Sequence, residues 1–365
     1  MKTGNSISNR NVCSLISLVI LSASLVNDKN SLRQDAWLAL LFSGIAVVPI
    51  YLAYARTLRL FPKMGFYDII ETLFGRIVGI ILISLMFFYA LWASAITLFN
   101  FSEYTSLISL ENTPKLVILL AFAAVSVYLS CAGINVLGRW SVIMSASLIF
   151  NLGITFILAA KSINPEYLQP VFNHSFPEIA KGSVAICAAA FGDVILTTSI
   201  FAAFKEGDSP YKAYMYGLLS GGLFLILLYV RNIMILGTGM VEASVYPSYA
   251  ANRVIYIGNF LEHVESLTSF NLMLLGITKI SLCLSASSIS AAKIFKLKKH
   301  NFTIAASAAL ALIIGLTVFK SSDQIITILR LYLPWTFPFF VLLPLVVWIA
   351  AELHRKKNKA PKAYN

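Results

Sequence analysis

Charge is scarce in this chain. Of its 365 residues only 12% are Asp, Glu, Lys or Arg, while 58% are hydrophobic and the mean hydropathy is +0.80. Soluble domains carry about 25% charged residues. So few charges cannot coat a water-exposed surface, which excludes a soluble globular protein and makes lipid the solvent for most of the chain. Acidic residues are the scarcer sign, 16 against 28 basic, and the net charge is +12. That excess does not indicate a nucleic-acid partner, because the basic residues lie between apolar runs, where they orient membrane spans.

Chemical motifs are missing too. His174, His263, His300 and His354 sit in or beside connections without HExxH spacing, and neither GxSxG nor a P-loop occurs. The four cysteines, Cys13, Cys131, Cys187 and Cys283, form no CxxC pair, so neither a disulfide framework nor a zinc site is indicated. The expectation is a protein that is not an enzyme and uses no metal or cofactor.

What is abundant is apolar length. Ten stretches qualify, or nearly so, as membrane spans: 11–26, 36–57, 78–102, 115–133, 141–160, 183–204, 214–237, 267–291, 303–319 and 333–351. The first resembles a signal peptide, with Lys2 and Arg10 before it and Ser22-Ala23-Ser24 near its end. It is counted as a span because removing it leaves an odd bundle. Backbone polar groups find no water in hydrocarbon, so the spans should be helices. With both termini cytoplasmic, 18 Lys and Arg fall on the inner side and 8 on the outer. This divides a single integral membrane domain, 1–365, into an N-terminal cytoplasmic segment (1–10), five spans (11–160), an outer connection (161–182), five more spans (183–351) and a basic cytoplasmic tail (352–365).

Between the seventh and eighth spans, Ile257, Phe260, Leu261 and Val264 share one helical face, which predicts either an amphipathic helix on the outer surface or a helix packed on other loops. Pro334, Pro338 and Pro344 predict a kinked last span. Gly75/Gly79 and Gly217/Gly221 have GxxxG spacing, and "SASSISAA" (285–292) is a small face; all three read as helix contacts.

Three charges fall inside spans. Arg231 lies near the outer end of its span, so its stem is expected to snorkel to the interface. Asp193, in "AAAFGDVILTTSIF" (188–201), and Lys279 lie near mid-span, where an ionised side chain costs at least about 2.5–3.5 kcal/mol. A mutual ion pair, water in a cavity or a freed backbone group could offset that. The readings are a ligand or ion site and a purely structural pair. Gly192 lets the helix unwind next to the carboxylate or admits a close neighbour there.

Several stretches together resemble one family. "QDAWLALL" (34–41), "FPKMGFYDIIETLFGRIVG" (61–79), "EYTSLISLENTPKLVILL" (103–120) with Thr113-Pro114, "CAGINVLGRW" (131–140) with Gly133 and Arg139, "NPEYLQPVF" (164–172), "FGDVIL" (191–196) and "FLEHVESL" (260–267) are similar in order and spacing to the B subunit of bacterial spore germinant receptors (GerAB type). That group lies within the amino acid–polyamine–organocation transporter superfamily. Asp193 stands where Glu is usual and His263 where Arg is usual. The span-one stretch "VILSASLVN" (19–27) lacks the family's glycines and proline.

The resemblance implies an all-α, LeuT-like fold of two inverted five-helix repeats, with helices 1 and 6 discontinuous. It also implies a small-molecule pocket between spans one, three, six and eight. Mapped here, the pocket draws on Ser22, Ala23 and Ser24; on Tyr89, for a hydroxyl and a ring face; on Phe191, Gly192, Asp193 and Thr197; and on Thr278 and Lys279 opposite. The implied function is a receptor subunit in the spore inner membrane. It would bind a nutrient germinant, an amino acid, and signal to an A subunit and a lipoprotein C subunit. The alternatives are a free-standing amino acid transporter coupled to protons or Na⁺, and a structural membrane scaffold.

Overall fold

The computed structural model describes residues 7–25, 32–205, 207–254, 264–297, 301–319 and 335–359. Within them the chain is a helical bundle. The helices are α1 (Asn9–Leu21), α2 (Ala36–Leu60), α3 (Phe66–Ile108), α4 (Lys115–Cys131), α5 (Ile134–Leu158), α6 (Phe176–Ile186), α7 (Pro210–Ala243), a short α8 (Pro247–Arg253), α9 (Val264–Ile294), α10 (Asn301–Val318) and α11 (Leu343–Lys359). Among the described residues, eight helical units are long and apolar enough to cross a membrane. The other two expected spans are the 17-residue α4 and the 13-residue α1, which is extended by a 3-10 turn at Ser22–Ser24. Each repeat therefore has five helices, α1–α5 and then α6, α7, α9, α10 and α11. An odd count starts the second repeat on the opposite face, which inverts it.

Helix ends follow local chemistry. Ser175 and Glu178 form a reciprocal capping box at the start of α6, and prolines occupy the first turns of α6, α7 and α8, where a missing N–H costs nothing. α3 is longer than the expected 78–102. It begins at Phe66 and breaks at Gly75, whose φ of 73° only glycine adopts without strain. Gly75 has nothing within 4 Å of a built Cβ, and Gly79 faces Glu71 of the same chain segment, so this pair marks a bend and not a seam between helices. Gly217 and Gly221 do form a seam: a Cβ there would lie 2.7 Å from Ile16 and 2.9 Å from the Ser17 backbone. Ser17 Oγ and Ser220 Oγ close the same α1–α7 contact at 2.6 Å.

α3 and α9 pack along each other through the centre, with α4 and α10 against both; α1, α2, α6 and α7 form a second group beside them. The small face 285–292 contacts α10, where Ser288 Oγ meets Thr303 Oγ1 at 2.5 Å. The start of α1 is tied to the end of the sixth span, as Ile7 N donates to Ala203 O (2.6 Å) and Lys205 N to Ile7 O (3.1 Å). The expected amphipathic face at Ile257, Phe260 and Leu261, with His263 and Pro334, lies outside the described residues, as does the end of the basic tail.

The first helix of each repeat abandons α geometry in mid-bundle. α1 passes into 3-10 at Ser22 without glycine or proline, with Ser22 Oγ donating to Val19 O at 2.5 Å. α6 becomes a π segment at Cys187–Phe191 and then a 3-10 segment over Gly192–Ala203. A 3-10 run of this length is uncommon. Thr197, Thr198 and Ser199 each donate to the carbonyl three residues earlier, at 2.6–2.7 Å, which gives the tight winding a second set of bonds.

Candidate functional site

The junction of the π and 3-10 segments places Asp193 against α3 and α9. Lys279 Nζ lies 2.7 Å from Asp193 Oδ2, and Tyr89 Oη donates to Asp193 Oδ1 at 2.7 Å. The Lys279 and Asp193 side chains are 11% and 7% exposed. Three expected residues from three spans thus meet at one carboxylate. A buried ion pair is held only when geometry and extra hydrogen bonds offset desolvation. Tyr89 supplies one such bond.

Gly192 is helical in its own torsions, so it is not a hinge by virtue of φ. Its role is room: a Cβ would sit 3.5 Å from the Phe340 ring and 3.7 Å from Tyr89 Oη. Phe339 stacks on Tyr89, centroids 4.9 Å apart and planes 16° from parallel. The π segment before α11 (Pro338–Leu342) therefore forms one wall of the site.

Other expected residues lie around this centre. Thr197 meets Tyr214 Oη at 3.0 Å, about one turn beyond Asp193. Thr278 is turned away, its Oγ1 accepting from Trp140 Nε1 at 2.9 Å and donating to Leu274 O. Phe191 is buried, and its carbonyl accepts from Tyr51 Oη at 3.1 Å. Ser22 is spent on its own helix, Ala23 packs on the apolar core, and Ser24 lines a separate small cavity.

Sequence reasoning missed a tyrosine cluster. Tyr51, Tyr54 and Tyr214 lie with ring centroids 5.6–6.0 Å apart. Tyr51 donates to Phe191 O and Tyr54 to Phe340 O at 2.7 Å. These are the carbonyls that end, or lie within, the two π segments, where regular helix bonding is interrupted. Two tyrosines at i, i+3 on α2, next to Pro49, thus satisfy backbone that lipid could not. Their spacing was the available signal.

Arg231 corrects an expectation. It does not snorkel: it is 1% exposed and donates to Thr155 Oγ1 (2.6 Å) and Asn232 Oδ1 (2.9 Å). α7 extends beyond Arg231 through Gly237 to Ala243, so the guanidinium is walled in by α5 and α8 instead of reaching an interface.

Two cavities flank the ion pair along α9. On the face where α1 begins, a vestibule of about 710 Å³ is lined by Tyr67, Asp68, Ser199, Ser285, Ser288 and Lys293, among others. At its rim Lys293 Nζ reaches Asp68 Oδ1 (2.5 Å) and Glu71 Oε2 (2.7 Å), clasping α3 to α9. On the other side of Lys279, beyond Leu275, lies a narrow cavity of about 20 Å³. The pair thus lies between a wide cavity on one side and a narrow one on the other. Among the described residues no group of three or more His, Cys, Asp or Glu converges as a metal site would require.

An all-helical bundle of two five-helix repeats, with both first helices broken and a charged pair at the second break, defines a LeuT-like integral membrane protein. Solved structures share the fold. The chain superposes on a manganese transporter from Eremococcus coleocola with a TM-score of 0.66, at 14% identity, covering 97% of this chain and 86% of that one. It superposes on Mhp1, a nucleobase-cation-symport-1 family transporter in a closed conformation with bromovinylhydantoin bound. There the TM-score is 0.63 at 13% identity, covering 92% and 78%. A family model described as spore germination protein (spore permease) matches residues 6–325, and the chain belongs to that family. It is 23% identical over 364 residues to spore germination protein KB of Bacillus subtilis (strain 168), covering 98% of this chain and 97% of that protein. It is also 23% identical over 254 residues to spore germination protein A2 of the same organism, covering 68% of each.

Proposed function

We propose that this chain is the membrane subunit of a nutrient-germinant receptor, and that the site around Asp193 and Lys279 binds an amino acid. The observation that carries this reading is the mid-membrane ion pair itself, with Tyr89 on the same carboxylate. An amino acid zwitterion has the same two charges at the same short spacing. Its ammonium can replace Lys279 at Asp193, and its carboxylate can replace Asp193 at Lys279. A visitor of that chemistry removes a desolvated contact and supplies another. A neutral solute does not.

Binding then separates α9 from the sixth span. A ligand shifts a conformational equilibrium only through differential affinity for the two states, and a closed pair versus a ligand-parted pair provides that difference. The change passes to an A-type subunit and a C-type lipoprotein in the spore inner membrane, with both termini of this chain cytoplasmic. Ser22, Ala23, Ser24, Phe191, Gly192, Thr197 and Thr278 serve as the surrounding walls. The test is a germinant screen on spores with and without this gene, followed by equilibrium binding of the standard L-amino acids to the purified chain. An amino acid that triggers only the gene-bearing spores and binds the chain supports the reading.

A transporter coupled to protons or Na⁺ is the second reading. It is favoured by the two cavities on either side of the pair and by a fold shared with transporters. One fold hosts both roles. Uptake of a labelled amino acid by vesicles containing this chain alone favours transport. Binding without uptake favours the receptor.

A further inference from the structure

The structure assigns a second ligand: we propose that Arg231 and Asn151 hold one small monovalent anion in the small cavity, separate from the Asp193–Lys279 site. Arg231 is buried in the bundle, and its hydrogen-bond partners are Thr155 Oγ1, Asn232 Oδ1 and the Ser248 carbonyl, all uncharged. Among the described residues no carboxylate forms an ion pair with it. A buried guanidinium facing only neutral acceptors lacks the counter-charge that intramembrane ions ordinarily have.

The cavity beside it supplies the place for one. It measures about 20 Å³; its surface is mostly apolar, from leucine and phenylalanine side chains, and Arg231, Asn151, Ser24, Ser248, Thr268 and Asn271 also border it. Asn151 is 6% exposed. Its Oδ1 accepts from Thr268 Oγ1 at 3.2 Å, while its Nδ2 has no acceptor. An orphaned buried donor and an uncompensated cation therefore share one small void. A water molecule there would satisfy the amide but leave the charge. An anion satisfies both.

Size restricts the choice. A void must offer about 10–15 Å³ to probe centres to hold one water, so this one admits a halide-sized body and not a whole amino acid. The shared chemistry is a single negative charge among N–H donors. Its sources are a free halide or the carboxylate end of a larger ligand reaching in.

The experiment uses the purified full chain in nanodiscs. Thermal unfolding is followed while sodium chloride, bromide or acetate replaces sodium gluconate at constant ionic strength. A saturable rise of several degrees with chloride and bromide is expected. A rise with acetate alone assigns the site to a carboxylate instead of a halide. Arg231→Gln removes the response. Asn151→Asp builds the counter-charge into the wall and keeps the measurement informative if Arg231→Gln fails to fold. It should unfold in gluconate at or above the wild-type temperature and no longer respond to chloride, bromide or acetate. Equal unfolding temperatures in chloride, acetate and gluconate overturn the proposal, as does an undiminished anion response in Asn151→Asp.

Discussion

Lys279 on α9 and Asp193 at the broken sixth span stand 2.7 Å apart at mid-bundle, and Tyr89 of α3 donates to the same carboxylate. The contact joins the element that changes helix type to two helices that do not. It is the contact that the proposed ligand would part.

Breaking the pair from one side should cost more than removing it. Asp193→Asn or Lys279→Met leaves a buried, unmatched charge, and each should destabilise the chain by about 3–5 kcal/mol. The double change Asp193→Leu with Lys279→Leu should recover most of that, because apolar replacement of a buried pair is often neutral. Thermal unfolding of the three variants in nanodiscs gives the cycle.

Tyr54→Phe removes the donor that satisfies the Phe340 carbonyl. A buried acceptor left unmade costs about 1–3 kcal/mol. Stability should fall by that amount. Amino acid binding should change far less than in Tyr89→Phe, which strips a bond from Asp193 itself.

Gly221→Ala tests the α1–α7 seam. Its Cβ would fall 2.9 Å from the Ser17 Cα, a backbone atom that cannot swing aside. Overpacking of this kind costs about 1–3 kcal/mol. Gly222→Ala, one residue along with nothing within 4 Å, is the matched control and should be nearly neutral.

The vestibule carries its own reporter. Cys131 is exposed and lines it, whereas Cys283 is buried. A membrane-impermeant maleimide should label Cys131 in inverted vesicles and not in right-side-out ones, and should leave Cys283 unmodified. The opposite sidedness would place the wide opening on the outer face.

Much of this molecule was legible in the sequence because lipid leaves few choices. The ten spans followed from apolar length, and Asp193 and Lys279 stood out because charge at mid-span is costly. Their meeting with Tyr89 rested on family resemblance as well as cost. What escaped was set by tertiary geometry. Tyr51 and Tyr54 look like ordinary apolar-span residues until the π segments that need their hydroxyls are known. Arg231 lies near the end of an apolar run, so snorkelling was the cheaper account; only the walls of α5 and α8 reveal that it is enclosed. Gly75 shared its GxxxG spacing with Gly221, yet one bends a chain and the other admits a neighbour, and spacing alone does not separate these uses.

The most direct test of a ligand-parted ion pair is the response of spores in which both Asp193 and Lys279 are replaced by Leu. Protein abundance in the spore membrane is measured alongside nutrient-triggered germination, using the amino acid that acts through the wild-type gene. Normal abundance with no response to that amino acid is the predicted result. A wild-type response would show that the two charges serve only assembly, and would contradict the account.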